Sequence, residues 1–489
     1  MISSEGRGLV LDEPLLFEQS RPGRVGYSLP ALDVPQAAPP AQLTRAQVDG
    51  FPELSEVDVA RHYTRLSSWN YGVDSGFYPL GSCTMKYNPK VNEAAARLPG
   101  FSDIHPQAPE NLNQGALGLM YRLQQDLGEV SGFPAVTLQP AAGAQGEFTG
   151  MMMIRACLES RGERRTKVLI PDTAHGTNPA SAALCGFEVV SVKSADGILS
   201  REAVAAVMDE DVAALMVTNP NTLGLFEADI QAICELVHER GGLVYSDGAN
   251  LNALMGISRP GDIGIDVMHF NLHKTFSTPH GGGGPGAGPV GVTSELEPFL
   301  PLPVVRRTGD DYQLDYERPQ SIGRVKAFNG HFGILVRAYS YILALGGEGL
   351  QRATQLAVLN ANYIRARLEG EYDLPQPKRS LHEVVFSETG LANDCHTLDV
   401  AKRLIDYGFH PPTIYFPLVV PGALMIEPTE TENKQMIDDF CDALLAIAEE
   451  ARTDPELLHQ APQRAKVKRL DETTAARKPV LRWQPEQED

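Results

Sequence analysis

Lys274 is the residue whose surroundings point most directly to chemistry. It follows the apolar run that ends near Asn271, and four consecutive glycines, Gly281–Gly284, come shortly after it. A lysine at the end of a buried strand loses solvation, so its pKa falls and its amine becomes a nucleophile, as imine formation requires. Glycine runs have a high entropic cost and suit backbone that moves or passes close to a ligand, although a flexible surface loop is the alternative.

Two earlier polar segments also follow apolar runs. Asp247 comes directly after the run Leu243–Tyr245 and Ser246, and a carboxylate there needs a cation or hydrogen-bond donors. The segment Pro171–Ser181 carries His175 beside a glycine, which suits ring stacking or proton transfer. Capping of the following helix is an equally simple interpretation of both polar segments.

A small-residue turn, Pro140–Glu147, precedes both. Its centre, Ala144, Gln145 and Gly146, allows close backbone approach, and the free N–H groups of a helix start can bind a phosphate. Such turns are common in α/β proteins, so alone this one is weak evidence. A fourth polar segment, Asn219–Gly224, follows another apolar run.

The elements that must position these residues form an α/β pattern, in which short apolar runs alternate with helical periodicity. This pattern favours a mainly parallel sheet covered by helices, whose ligands lie at the carboxyl ends of the strands. The predicted strands are Ala135–Leu138, Lys167–Ile170, Phe187–Val192, Ala213–Thr218, Gly242–Ser246, Val267–Asn271 and Gly288–Val292. The helical patterns between them are Gly146–Leu158, Asn178–Cys185, Arg201–Met208 and Ala228–Arg240.

The chain is expected to divide into four parts. Residues 1–115 form an N-terminal arm and helical segment, and 116–324 form the large domain with the sheet. Residues 325–455 form a small α+β domain, with helices Gly333–Leu345 and Leu350–Leu368, strands Val384–Ser387 and Leu424–Ile426 and a last helix, Glu432–Ala451. Residues 456–489 are a charged, partly ordered tail. The run Tyr78–Pro89 is predicted to be a loop, because Pro and Gly punctuate it.

Composition excludes several function classes. The 489 residues carry a net formal charge of −20, which argues against nucleic acid or an anionic membrane as partner. No apolar stretch is long enough for a transmembrane helix, and no secretory signal is visible at the N-terminus. The six cysteines are scattered and form no zinc-type pair, so we expect no metal site and a cytoplasmic enzyme.

The order of the polar segments is itself informative. A phosphate-binding turn, a histidine, an acid and a lysine follow one another along the chain, which resembles the aspartate-aminotransferase-like class of pyridoxal-phosphate enzymes. The resemblance implies that Lys274 binds the cofactor's aldehyde and that Asp247 keeps the pyridine nitrogen protonated. It further implies that His175 stacks on the ring and that Ala144, Gln145 and Gly146 hold the phosphate.

Four motifs together resemble the P-protein of the glycine cleavage system. They are Leu80-Gly-Ser-Cys-Thr-Met-Lys86, Ala174-His-Gly-Thr-Asn-Pro-Ala-Ser-Ala182, Asn271-Leu-His-Lys-Thr-Phe276 with the glycines after it, and Glu427-Pro-Thr-Glu430. The match is with the C-terminal half of the long single-chain form, or with the whole second subunit of the split form. The chain length favours the split form.

This resemblance implies pyridoxal-phosphate-dependent decarboxylation of glycine, with transfer of the aminomethyl group to the lipoyl arm of the H-protein. It also implies a homologous first subunit in an α2β2 assembly. Another decarboxylase or desulfurase of the same fold, or a non-catalytic partner subunit, remains an alternative. The presence of Lys274, Asp247 and His175 favours the active subunit.

Several residues have less specific assignments. Asn219 and Thr222 are candidates for contacts to the ring hydroxyl, Ala249 for a cofactor contact beside the acid, and His273 for orienting the lysine. His280 and Gly281–Gly284 are a candidate lid. Cys83 is either a redox-sensitive thiol or a packed cysteine. Arg324 and His331 either receive a carboxylate or begin the small domain.

Overall fold

The computed structural model describes residues 13–45, 48, 50–281, 284 and 286–484. The chain divides into two compact units, one up to Ser75 and the other from Gly76 onward. This division differs from the four parts expected from the sequence, whose internal boundaries remain predictions.

The first unit contains two helices, α1 (Leu16–Gln19) and α2 (Glu56–Ser67). The hydroxyl of Ser55 caps α2 by accepting a hydrogen bond from the backbone N–H of Asp58. Glu13 accepts hydrogen bonds from Arg65 and contacts the buried His62, so it ties the described start of the chain to this helix.

The described residues of the second unit form three sheets. The central sheet is built from β1–β7, a hairpin from β8 and β9, and a smaller sheet from β10–β12. The strands are β1 (Ala135–Thr137), β2 (Lys167–Pro171), β3 (Glu188–Val192), β4 (Val212–Thr218), β5 (Leu243–Gly248), β6 (Val267–Phe270), β7 (Val290–Val292), β8 (Val304–Thr308), β9 (Asp311–Asp315), β10 (Val384–Phe386), β11 (Thr413–Ile414) and β12 (Leu424–Ile426).

Helices of this unit pack around the sheets. They are α3 (Lys90–Ala96), α4 (Pro99–Ser102), α5 (Gln114–Ser131), α6 (Gly143–Ser160), α7 (Thr177–Leu184), α8 (Arg201–Ala205), α9 (Ile230–Glu239), α10 (Phe332–Leu368), α11 (Thr397–Asp406), α12 (Lys434–Thr453), α13 (Glu456–His459) and α14 (Glu472–Arg477). Within the described residues, no helix combines the length and apolar character needed to cross a membrane.

The central sheet has the strand order β1-β7-β6-β5-β4-β2-β3. Its strands run parallel except β7, which is antiparallel to both of its neighbours. β4 is buried at every residue, as expected for a central strand covered by helices on both faces. The predicted α/β fold with a large, mainly parallel sheet is therefore confirmed, and so are its seven strands.

Three features refine the sequence prediction. The β8–β9 hairpin was not predicted, because its strands are short and mostly solvent-accessible and lack an apolar run. The two predicted helices after residue 332 form one long element, α10, interrupted at Gly346, whose φ of 62° breaks the helical path. The predicted loop Tyr78–Pro89 contains no helix, and Leu80 makes an isolated bridge to Ile426 of β12.

Candidate active site

The carboxyl ends of the three adjacent strands β4, β5 and β6 meet at one edge of the central sheet. Asp247, near the end of β5, is in register with Thr218 of β4 on one side and His269 of β6 on the other. Lys274 lies in the turn that follows β6. The acid and the amine therefore belong to the same edge of the sheet, where ligands of open α/β folds bind.

Asp247 is buried near the end of β5. Its Oδ1 accepts a hydrogen bond from the N–H of Ala249 at 2.9 Å and lies 3.4 Å from Nε2 of His269. Burial lowers the pKa of His269 to about 4, so this ring is neutral near pH 7. Among the described residues, no lysine or arginine forms an ion pair with Asp247, so a ligand that brings a cationic N–H would suit this carboxylate.

His269 is fixed from both ring nitrogens. Its Nδ1 lies 2.5 Å from the hydroxyl of Tyr245, and its Nε2 lies 2.7 Å from the side-chain amide of Asn271. Tyr245 and His269 are both buried, and burial holds the pKa of the tyrosine well above its usual value. This pair contacts Asp247 through Nε2 of His269 and brings no full positive charge to it.

A second carboxylate, that of Glu147 in α6, lies beside Asp247. Thr177 donates to Oε1 of Glu147 at 2.6 Å, and Ser181 donates to Oε2 at 2.9 Å. With its amide nitrogen oriented toward these acids, Asn178 donates to both Glu147 and Asp247 at 3.2 Å. Burial and the negative charge of Asp247 raise the pKa of Glu147 to about 7.

Lys274 is half-buried, and its Nζ donates a hydrogen bond to the backbone carbonyl of Ser82 at 2.7 Å. Its positive charge lowers the pKa of Glu147 and of His175, whereas the negative charge of Asp247 raises both. The amine of Lys274 and the carboxylate of Asp247 therefore shift the pKa of the same two neighbours in opposite directions. Among the described residues, the recorded partner of this amine is a backbone carbonyl and not a carboxylate.

His175 lies between the first turn of α7 and the small sheet's connecting segment. Its Nδ1 is 2.9 Å from the hydroxyl of Thr177, and its ring meets Phe416 edge-on at 5.8 Å between centroids. Burial lowers the pKa of His175, and the charge of Asp247 opposes that effect. A neutral ring next to Asp247 is compatible with the predicted stacking role.

The predicted phosphate turn forms the start of α6. The side chain of Gln145 is used within the protein, since its Oε1 accepts from the N–H of Ala141 at 2.7 Å and its Nε2 donates to Val325 at 2.8 Å. The N–H of Gly146 already bonds to the carbonyl of Ala142. The N–H groups at the start of α6 before Gly146, which include those of Ala144 and Gln145, are the kind of donor that binds an anion at a helix N-terminus.

Close backbone packing brings the start of α6 to the sheet edge. A Cβ on Gly143 would lie 2.5 Å from Oδ1 of Asn271, and a Cβ on Gly146 would lie 2.8 Å from the carbonyl of Gly288. A side chain at position 146 would therefore collide with backbone, and one at position 143 would displace the side chain of Asn271. The helix start consequently lies against the segment that carries Lys274.

The less specific assignments have definite positions. The hydroxyl of Thr222 donates to the carbonyl of Thr173 at 2.8 Å, and Oδ1 of Asn219 accepts from the N–H of Glu227 at 3.1 Å. Both side chains are buried and connect loops at the sheet edge. The structure shows these contacts for them, so a contact to a ring hydroxyl stays a prediction.

The histidines near Lys274 are also held by backbone. Nδ1 of His273 accepts from the N–H of Ala287 at 3.4 Å, and burial lowers the pKa of His273 to about 3. Its ring meets that of His280 edge-on at 5.1 Å. His331 makes a 2.6 Å contact from Nδ1 to the carbonyl of Gly286. In the predicted lid, Gly282 and Gly283 lie outside the described residues.

Two groups of contacts escaped the sequence prediction. Lys86, fully buried, donates to Glu430 at 2.8 Å and to the carbonyl of Thr275 at 3.0 Å, next to the candidate lysine. Glu383 and Glu427, also fully buried, bind the loop that contacts Lys274. Both groups of contacts join motifs that are far apart in sequence. The sequence offered one signal for them, which was that these motifs occur together in one chain.

Known proteins match the chain along almost all of its length. A family model described as glycine dehydrogenase, C-terminal domain, matches residues 353–465. The chain is 59% identical over 484 residues to a probable glycine dehydrogenase (decarboxylating) subunit 2 from Exiguobacterium sibiricum, covering 98% of each chain. A protein of the same name from Caldanaerobacter subterraneus subsp. tengcongensis is 59% identical over 479 residues, covering 96% of this chain and 98% of that one.

Solved structures share the fold at lower identity. A crystal structure of glycine decarboxylase (P-protein) of the glycine cleavage system, in inhibitor-bound form, aligns with a TM-score of 0.71 and 22% identity, over 83% of this chain and 93% of that one. The cysteine desulfurase CsdA from Escherichia coli aligns with a TM-score of 0.60 and 15% identity, over 77% of this chain and 95% of that one. These two support the fold, whereas the identity to the subunit 2 proteins establishes that the chain belongs to the family of glycine dehydrogenase (decarboxylating) subunit 2.

Proposed function

We propose that this chain is the cofactor-binding subunit of a split glycine dehydrogenase (decarboxylating). It would remove the carboxyl group of glycine as CO2 and transfer the aminomethyl group to the lipoyl arm of the H-protein. The observation that carries the proposal is the placement of Asp247 and Lys274 at one edge of the sheet, in a chain of this family.

The residues present fit pyridoxal phosphate. Lys274 offers an amine, Asp247 a buried carboxylate that lacks a cationic partner among the described residues, and the start of α6 backbone donors for a phosphate. When bound, the cofactor supplies an aldehyde that accepts amines and a ring that withdraws the electron pair left by the departing carboxylate.

The chain's own groups have separable tasks in this reaction. Asp247 would accept the hydrogen bond of the cationic ring nitrogen and so keep that nitrogen protonated. His269 and Tyr245 would keep Asp247 in place while remaining neutral. Lys274 would hold the cofactor's aldehyde through its amine, and that bond would be exchangeable for one to the amino group of glycine.

Burial of the surrounding side chains would exclude water from the reacting carbon. Asp247, His269, Asn271 and Thr222 each expose less than a tenth of their surface. Exclusion of water prevents premature protonation of a carbanion and strengthens the interactions around it. His175 would cover one face of the ring.

The proposal includes partners and a compartment. The relatives are named subunit 2, which supports a homologous first subunit, and we propose an α2β2 assembly with it. The lipoylated H-protein would be the acceptor. Scattered free cysteines support a reducing compartment, which for this chain would be the cytoplasm.

Lys274→Ala tests the proposal. The purified chain, mixed with its first subunit and pyridoxal phosphate, should show the visible absorbance of a lysine-bound cofactor and should exchange carbon between glycine and bicarbonate when lipoylated H-protein is added. Lys274→Ala should abolish both, because no amine then reaches the aldehyde. Lys434→Ala, which removes an exposed lysine of α12, should leave both intact.

The alternatives give different results in the same assay. Exchange with cysteine or glutamate in place of glycine would indicate another enzyme of this fold. Cofactor absorbance confined to the first subunit would indicate that this chain is the non-catalytic partner.

A further inference from the structure

A four-residue loop, Gly81–Thr84, connects the small sheet to the candidate lysine. On one side, the carbonyl of Ser82 accepts the hydrogen bond from Nζ of Lys274 at 2.7 Å. On the other side, Gly81 packs against β12, where a Cβ on it would lie 2.7 Å from the carbonyl of Met425. The position of the small sheet therefore affects where this loop places the carbonyl that binds the amine.

The backbone of this loop is strained. Ser82 has a φ of 62° and Thr84 a φ of 47°, both in the left-handed region that residues other than glycine rarely adopt. A β-branched residue such as Thr84 is especially disfavoured there. Strain of this kind persists only where surrounding contacts hold the chain in place.

Two buried carboxylates provide those contacts. Glu427 accepts hydrogen bonds from the N–H groups of Cys83 and Thr84 at 3.0 and 2.8 Å and from the Thr84 hydroxyl at 2.5 Å. Glu383 accepts the N–H of Ser82 at 2.9 Å. Every backbone N–H from Ser82 to Thr84 thus has a carboxylate acceptor, and hydrogen bonds to a charged acceptor are the stronger kind.

The small sheet places the two acids side by side. Val384 of β10 pairs with Ile426 of β12, so Glu383, directly before β10, and Glu427, directly after β12, emerge at the same end of an antiparallel pair. Both acids are fully buried. Burial and the negative charge of Glu427 hold the pKa of Glu383 well above its usual value.

The carbonyl of Ser82 therefore lies in a loop with two strained residues, whose three N–H groups bond to two buried acids. We propose that Glu427 and Glu383 are positioning residues that fix the carbonyl of Ser82 as the docking point of the free Lys274 amine. The amine rests on this carbonyl after glycine displaces it from the cofactor, and it remains within reach for its return. The inference rests on the proposed role of Lys274 and on nothing else in the proposed reaction.

Glu427→Gln and Thr84→Val test the inference. The glutamine keeps the size of the side chain and removes its charge, and the valine keeps the β-branched shape and removes the donated hydroxyl. Asp406→Asn is the matched control, since Asp406 is a buried carboxylate that accepts the backbone N–H groups of Gln463 and Arg464 elsewhere in the same unit.

The measurement follows the lysine and not the overall turnover. The protein loaded with pyridoxal phosphate, in complex with its first subunit, is mixed with glycine, and visible absorbance reports displacement of the lysine in a stopped-flow instrument. After glycine is removed, the same absorbance reports the return of the lysine to the cofactor. Glu427→Gln should slow the return about tenfold and Thr84→Val about threefold, while displacement by glycine changes less. Asp406→Asn should match the wild type.

The outcomes separate the two proposals. If the wild type shows no absorbance of a lysine-bound cofactor, the proposed function fails and the inference fails with it. If the wild type shows that absorbance and Thr84→Val and Glu427→Gln return the lysine at the wild-type rate, the inference alone is wrong. Should Glu427→Gln fail to fold, the rate of Thr84→Val decides. A slowing equal to that of Asp406→Asn also overturns the inference, because any buried acid would then have the same effect.

Discussion

Among the described residues, two clusters of acids lie close enough to Lys274 to feel its charge, and they have different hydrogen-bond partners. The first, Glu147 with Asp247 and His175, lies at the edge of the central sheet. The second, Glu383 with Glu427 and His382, lies at the end of the small sheet. Side-chain hydroxyls donate to Glu147, whereas backbone N–H groups of the Gly81–Thr84 loop, together with the Thr84 hydroxyl, donate to the acids of the second cluster.

This difference indicates different tasks. In the first cluster, Asp247 has no cationic partner among the described residues, which suits a ligand that brings its own positive charge. The acids of the second cluster accept hydrogen bonds from the strained loop and hold it in place. They would act on a ligand through this loop and Lys274, which bonds to it. The first cluster is therefore suited to chemistry and the second to placing the amine that performs it.

Breaking the contact beside the second cluster should produce the largest effect. Lys86 is fully buried and bonds to Glu430 and to the carbonyl of Thr275, next to Lys274. Lys86→Met leaves the Glu430 carboxylate without its cationic partner, although the Tyr341 hydroxyl still donates to it, so the free energy of unfolding should fall by about 3–5 kcal/mol. Urea denaturation measures this change.

Lys434→Met is the matched control for this prediction. Lys434 pairs with Asp438 on an exposed face of α12, and loss of such a pair should change stability by less than about 1 kcal/mol. If both substitutions lower the free energy of unfolding equally, burial of Lys86 adds nothing to the stability of the protein. The contacts beside the second cluster would then stabilise it no more than an exposed ion pair does.

Asp247→Asn sharpens the other side of the comparison. An amide of the same size cannot stabilise a cationic ring nitrogen as a carboxylate does, so the transition state should lose about 2–4 kcal/mol of stabilisation. The rate of glycine–bicarbonate exchange should therefore fall roughly 30- to 1,000-fold. The absorbance of the lysine-bound cofactor should persist, because Lys274 is untouched. Asp262→Asn, which alters an exposed acid paired with Arg259, should retain full exchange. Retained exchange in Asp247→Asn would remove this residue from the site.

The two clusters also differ in how far the sequence predicts them. The seven strands of the central sheet were predicted because each is an apolar run followed by polar residues, and parallel strands bring those polar ends to one edge. Asp247, His175 and Lys274 could therefore be selected from sequence. Glu147 was not selected, because a glutamate early in a helix is ordinarily solvent-exposed and its burial depends on α7 packing against it.

Long-range contacts set the limit of the sequence prediction. Glu427 bonds to Thr84 across 343 positions, and Lys86 bonds to Glu430 across 344. No periodicity links residues so far apart, and the pairing of β10 with β12 that places Glu427 emerges only in the fold. Resemblance to a family indicated that the two motifs occur together, and the hydrogen bonds supply the physical reason.

Glu147→Gln gives the smallest and most discriminating change, since it concerns pH. Below pH 4.5 Glu147 is protonated in both the folded and unfolded states. Between pH 4.5 and about 7 the unfolded chain releases this proton while the folded chain retains it, so the contribution of Glu147 makes the free energy of unfolding fall as pH rises through this range. Glu147→Gln removes that fall, and its stability relative to the wild type should increase by on the order of 1–3 kcal/mol between pH 4.5 and 7.5.

Urea denaturation at several pH values measures this difference, and Glu159→Gln is the control on the same helix. Glu159 is exposed and paired with Arg155, so its substitution should leave the pH dependence of the wild type unchanged. A wild-type protein whose stability follows the same pH curve as Glu147→Gln would mean that Glu147 is ionised beside Asp247 throughout. The first cluster would then carry two negative charges, and a single cationic ring nitrogen could not neutralise it.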